Sequence, residues 1–297
     1  MNARSFIPLA LLTTLPLTAT AALNTARLEQ LTGLKGTMNQ EEKVFKVSAP
    51  RNDLPIAVDG WKMPPFMGLT SWAAFVEGGK AEVMVAGDLV LFEDEVNPVM
   101  SAALDAGLSV TALHNHFFFD EPRVYFMHIG GEGTADEMAG GVRAAFARQK
   151  EIRAANPQPT RAFGKGFAPT AQAITGPTID GVLGTKGQAN NGMFKVVIGR
   201  TTKMPCGCDM TKEMGVNTWA AFAGTDENAL VDGDFAVLED ELQTVLKTLR
   251  AGGINIVAIH SHMTHESPRI LFLHYWGKGS TSALAKTLKA ALDTEHS

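Results

Sequence analysis

Seven of the eight histidines of this 297-residue chain fall into two windows. The first holds His114, His116 and His128; the second holds His260, His262, His265 and His274. Neutral imidazole is a ligand for zinc, copper, iron and nickel, and three imidazoles with one open position make a catalytic zinc site. Residues i and i+2 of a strand point to one face. If residues 110–116 form a strand, His114 and His116 are neighbours, as are His260 and His262 in the second window. Asp120-Glu-Pro-Arg123 reads as a turn and residues 124–128 as the return strand, which brings His128 roughly opposite His116. A register slip of one residue would send it to the other face. The expected ligands are therefore His114, His116, His128, His260, His262 and His274, holding a divalent transition metal, zinc first. The competing reading is that these histidines are structural and bonded to backbone carbonyls.

Four charged residues could support such a site. Glu93 and Glu239 stand at the preceding strand-to-helix junctions. Either could complete a metal shell, orient a histidine, or act as base on metal-bound water. Arg123 and Arg269 follow Pro122 and Pro268, where a guanidinium could clamp a carboxylate or phosphate. They could equally pair with Asp120 and Glu266 within the turn. Cys206 and Cys208 are the only cysteines. In an oxidising compartment they could form a tight local disulfide. With Met204 and Met210 nearby, binding of a soft metal such as Cu(I) is the rival.

The two windows belong to an internal duplication. Residues 87–131 align with 233–277 without a gap, and 15 of the 45 positions are identical. Gly87-Asp88 matches Gly233-Asp234, and Trp72-Ala-Ala-Phe75 matches Trp219-Ala-Ala-Phe222. The copies differ at two-thirds of aligned positions yet share all three histidines. The boundaries read as a signal segment at 1–21, a first domain at 22–150, a linker at 151–174 and a second domain at 175–297.

Each copy then needs elements to hold its histidines. Two strand-like segments, 69–76 and 82–92, come first. Val96, Val99, Met100 and Ala103 are spaced as one helix face, as are Leu242, Val245, Leu246 and Leu249. Gly107 and Gly253 sit where a C-terminal cap is wanted. Thr134 to Glu137 reads as a capping box opening a second helix. The plan is α+β: two tandem β-β-α-β-β-α repeats, with mixed or antiparallel sheets and helices on one face. Trp72 and Trp219 read as core residues.

Composition excludes several classes. The chain is 45% hydrophobic and 19% charged with a net charge of −5, ordinary for a globular protein and against a duplex nucleic-acid binder. Arg4, an apolar run from Phe6 to Leu17 and Ala19-Thr-Ala21 read as a secretory signal cleaved near Ala21. No later stretch approaches the ~20 apolar residues of a spanning helix. The expected product is a periplasmic or secreted protein with no integral membrane segment, whose partner is a small molecule or metal ion.

The run Leu91-Phe-Glu-Asp-Glu-Val-Asn-Pro-Val99, then Thr111-Ala-Leu-His-Asn-His116, then Glu121-Pro-Arg-Val-Tyr-Phe-Met-His128 resembles the bacterial LppY/LpqO-type envelope family, a duplicated domain of unknown function. The likeness covers nearly the whole chain after the signal. It implies no reaction. Some members are named as lipoproteins, but no cysteine stands at this processing site, so the resemblance implies a soluble form here. The functions expected are a metal-dependent hydrolase of a small anionic or envelope-derived substrate, a metal- or ligand-binding protein without turnover, or a structural envelope protein.

Overall fold

The computed structural model describes residues 23–164, 169 and 171–295. The signal segment lies outside the described residues. The first copy runs α1 (Thr25–Thr32), β1 (Gly36–Asn39), β2 (Val44–Pro50), β3 (Ala57–Val58), β4 (Trp61–Lys62), β5 (Thr70–Glu77), β6 (Val83–Phe92), α2 (Glu93–Asp105), β7 (Ser109–His114), β8 (Asp120–Glu121), β9 (Val124–Gly133) and α3 (Ala135–Ala155). The second runs α4 (Gly176–Leu183), β10 (Gln188–Asn190), β11 (Met193–Gly199), β12 (Thr202–Lys203), β13 (Asp209–Met210), β14 (Asn217–Gly224), β15 (Ala229–Leu238), α5 (Leu242–Ala251), β16 (Asn255–His260), β17 (Ile270–Gly279) and α6 (Thr281–Leu292). No described helix is long and apolar enough to cross a membrane.

The chain is α+β as expected, but the exact repeat differs: β5 to α3 reads β-β-α-β-β-β-α because the two-residue β8 stands between β7 and β9, and each copy begins with a helix and a strand pair the pattern did not show. α3 also runs five residues past 150, into the stretch read as linker. The larger difference is the sheet. Twelve strands form one antiparallel sheet in the order β1-β2-β5-β6-β9-β7-β16-β17-β15-β14-β11-β10. The order of the second half mirrors that of the first. The copies meet where β7 pairs β16, with Leu113 opposite Ile259. Those two residues occupy the same position in their copies, so a pseudo-twofold axis passes between them.

The two faces of the sheet differ. Leu89, Leu91, Leu113, Met127 and Ile129 point toward the helices and join Val99, Met100, Val142 and Phe146 in the main core. Their second-copy counterparts, Phe235, Val237, Ile259 and Leu273, continue the same core. The predicted helix faces are buried as expected. Thr134 and Glu137 form the capping box, and Gly107 and Gly253 have positive φ just past α2 and α5. The other face carries two small apolar clusters. One is Ile56, Met63, Leu69, Val90, Phe92, Val124 and Phe126. The other is Val216, Ala236, Ile270 and Phe272. Trp72 and Trp219 belong to this helix-free face. They are half-buried beneath Lys46 and Lys195 rather than in the core.

Beneath each junction lies a buried ion pair. Glu95 accepts from Arg51 at 2.6 Å, and Glu241 from Arg200 at 2.5 Å. Glu95 also accepts from the Phe92 N–H, and Glu241 from the Leu238 N–H. A buried carboxylate needs that many partners to offset its desolvation.

Candidate metal centre

Strand register decides which side chains meet. Asp88 stands opposite His128, which in turn stands opposite Ala112. In the second copy Asp234 stands opposite His274, and His274 opposite Ala258. Both rows lie on the helix-free face. His114 is two residues along from Ala112 and therefore on that face too. β7 ends at His114, so His116 lies in the loop beyond, not on the strand as expected. His114, not His116, is opposite the next residue of that face, Phe126. The register differs from the expected one by an even number of residues, which keeps His128 on the same side as the other two.

The loop still returns His116 to the cluster. Its ring stacks on Phe126 with centroids 3.3 Å apart and planes 2° apart. His262 stacks on Phe272 in the same way, at 3.5 Å and 11°. The small apolar clusters thus act as platforms for the loop histidines. The central histidine of each trio is His114 or His260. His114 lies 5.2 Å, ring to ring, from both His116 and His128. His260 lies 5.0 Å from His262 and 4.7 Å from His274.

The nitrogens converge. His114 Nε2 and His128 Nε2 are 3.1 Å apart, and so are His260 Nε2 and His262 Nε2. Two nitrogens each about 2.0–2.1 Å from a tetrahedral ion stand roughly 3.3 Å apart. Asp234 adds its carboxylate, 3.5 Å from His262 Nε2 and 4.0 Å from His274 Nδ1. Asp234, His260 and His274 each offer a ligand atom, all within 4.8 Å of one another. Asp234 is almost fully buried, while His262 and His274 are 34% and 45% exposed, so the cluster opens to solvent on one side.

Three buried polar atoms here have no hydrogen-bond partner: Asp88 Oδ1, Asp234 Oδ1 and His260 Nδ1. Buried polar atoms are ordinarily paired, so three atoms without a protein partner at two equivalent sites fit a bound cation. The electrostatics agree. Burial holds the His260 imidazole below its ordinary value, against the pull of Asp234. Burial, then repulsion from His114, does the same at His116. Burial raises the Asp88 carboxyl against the attraction of the three imidazoles. Neutral imidazole is the form that binds metal.

The aspartates were not among the expected ligands, although Gly-Asp is identical in both copies. The glycine has its own reason. Tyr275 lies across Gly233 and donates to Trp219 O at 2.8 Å, and a Cβ on Gly233 would stand 2.1 Å from the Tyr275 hydroxyl. The charged residues expected to help lie elsewhere. Glu93 lines a cavity with Tyr125, Thr160 and Arg161, and Glu239 is exposed in the turn before α5. Arg123 lies near Tyr125, whose hydroxyl its charge favours ionising, and lines a neighbouring cavity. Asp120, its expected turn partner, accepts from the Val124 N–H, and Arg269 is exposed. Cys206 and Cys208 are free, exposed thiols.

With this geometry in place, comparison with known proteins gives one clear result. Residues 26–148 and 177–294 each match the family described as Domain of Unknown Function (DUF1259). The chain belongs to that family, and carries its domain twice. No curated protein matches the chain. A solved structure, a trimeric bacterial microcompartment shell protein PduB, aligns over 87% of this chain and 89% of its own at 10% identity. Its TM-score of 0.22 leaves it without weight for this fold.

Proposed function

We propose that this is an exported protein in which each copy of the domain binds one divalent transition-metal ion, zinc being the ion its donors suit best. The observation that carries the reading is the convergence of Asp234, His260 and His274 around an unpaired, buried carboxylate oxygen. His262 joins them from the loop. Asp88, His114, His116 and His128 are the same residue types at the equivalent positions of the first copy. Imidazole and carboxylate donors together suit zinc or its neighbours rather than calcium or magnesium. Bound there, such an ion would supply Lewis acidity and lower the pKa of bound water.

A second reading is metal-assisted hydrolysis of a small anionic or envelope-derived substrate. The exposure of His116, His262 and His274 favours it, because the ion would face solvent and could meet a substrate. Export rests on Arg4, the apolar run and Ala19-Thr-Ala21. The finer LppY/LpqO-type assignment rests on the three motifs around Glu93, His114 and His128.

Elemental analysis of the mature protein purified from its native envelope tests the proposal. About two transition-metal ions per chain are expected. A metal-free protein that takes up none on incubation with zinc would make the histidines structural.

A further inference from the structure

The second copy carries a hairpin that the first lacks. Copy one passes from Pro64 to Met67 with two intervening residues, whereas copy two takes eight between Pro205 and Met214. At the base of this insertion Thr202 pairs with Met210 and Lys203 with Asp209. The Met204 N–H then donates to Cys208 O at 2.9 Å, making Met204 and Cys208 the next opposed pair. Opposed residues and their i±2 neighbours share a face, so Met204, Cys208 and Met210 lie on the same side of the hairpin. Gly207, with φ +82, closes the turn by donating to Met204 O at 2.8 Å. Cys206 sits on that turn and its sulfur accepts from the Cys208 N–H at 3.3 Å.

The hairpin is also held in place. Lys203 and Ser267 exchange backbone hydrogen bonds at 3.1 and 2.9 Å, and the Thr202 hydroxyl donates to Pro268 O at 2.6 Å. Met210 packs on the small cluster that contains Phe272. A fixed base thus presents an exposed tip with two free thiols and a half-buried thioether.

We propose that this hairpin is a separate soft-metal site, binding a monovalent ion of the Cu(I) class through Cys206 and Cys208 with Met204 as a supporting thioether. Thiolate donors take both zinc and Cu(I), but the thioether of Met204 is a soft donor outside the usual zinc ligands, so two sulfurs with a third thioether suit the smaller coordination shell of Cu(I). The site shares no ligand with the two histidine clusters, so it stands or falls independently of them.

The test uses the full mature chain, reduced and kept anaerobic, competing with a chromogenic chelator for Cu(I). Wild type should withdraw one more equivalent than a Cys206→Ser/Cys208→Ser variant. Met204→Leu should retain that equivalent with weaker affinity. His114→Ala/His260→Ala should leave it in place. Equal Cu(I) uptake by wild type and the double-serine variant would overturn the proposal. So would displacement of the hairpin-bound ion by a stoichiometric amount of zinc.

Discussion

The side-chain amide of Asn97 closes two hydrogen bonds on the backbone of Ile256, donating to its carbonyl at 3.0 Å and accepting from its N–H at 2.7 Å. Asn97 belongs to α2 of the first copy and Ile256 to β16 of the second. The relationship is reciprocal: Gln243 of α5 makes the same pair of bonds to Val110 of β7, at 2.9 and 2.8 Å. Each clamped residue sits at a shift in strand register, just before the strand reaches its histidine. Such a bulge takes backbone groups out of the ladder. Each copy therefore completes the backbone pairing of the other's histidine strand.

Asn97→Ala should be strongly destabilising. It leaves a buried N–H and a buried carbonyl unpaired, each costing about 1–3 kcal/mol, so a loss of about 2–6 kcal/mol is expected in urea unfolding. Gln243→Ala should cost less, because its bonds are only partly buried. A change within about 0.5 kcal/mol for Asn97→Ala, the range of an ordinary surface substitution, would contradict the clamp.

Separating the copies should expose the seam. Without β16, the β7 edge offers unpaired backbone groups, and open edges recruit other strands. A fragment of residues 23–155 is expected to self-associate in analytical ultracentrifugation, while the full chain at equal concentration does not do so through this edge. A fragment that stays monomeric would show that the seam contributes little.

Glu295 gives a pH signature. Burial raises its carboxyl to about 7; Arg200 opposes this and Glu241 reinforces it. Its folded value lies above the ordinary 4.5, so between these limits the folded state holds more protons than the unfolded one. Stability from this group is full below about pH 4.5 and is lost as pH rises through 7. Glu295→Gln should raise Tm at pH 8 and leave it unchanged at pH 4. An equal shift at both pH values would contradict the assignment.

The histidine trios were legible because duplication repeats their spacing, and the helices because their apolar faces and caps are local. The aspartates were not. Asp88 is 40 residues from His128 in sequence, and only the β6–β9 register brings them together. Glu93, like Glu239 in the second copy, looked better placed beside a helix start, yet the four strand residues after Asp88 carry Glu93 to another cavity. The shared sheet was equally hidden, since nothing local marks the β7–β16 edge pairing. His116 shows the reverse case. Its strand stops two residues early, and stacking on Phe126 restores what strand geometry was expected to supply.

Asp88→Asn combined with Asp234→Asn separates ligand from scaffold. The amide keeps the carboxylate's shape but removes its charge. Zinc affinity should fall by at least about a hundredfold, roughly 2.7 kcal/mol. The metal-free protein should melt at the same temperature or higher, because an unpaired buried carboxylate is costly. Unchanged zinc affinity would remove the aspartates from the site.

The most direct measurement is calorimetric titration of zinc into the mature wild-type protein and into His114→Ala/His260→Ala, with circular dichroism to confirm that both are folded. These histidines are central to their trios, so their loss should dismantle both sites. Wild type should take up two ions with Kd near or below about 1 μM, about −8 kcal/mol, and the variant neither. A wild-type affinity no tighter than about 1 mM, near −4 kcal/mol, would contradict the metal-binding account and make the two histidine clusters structural.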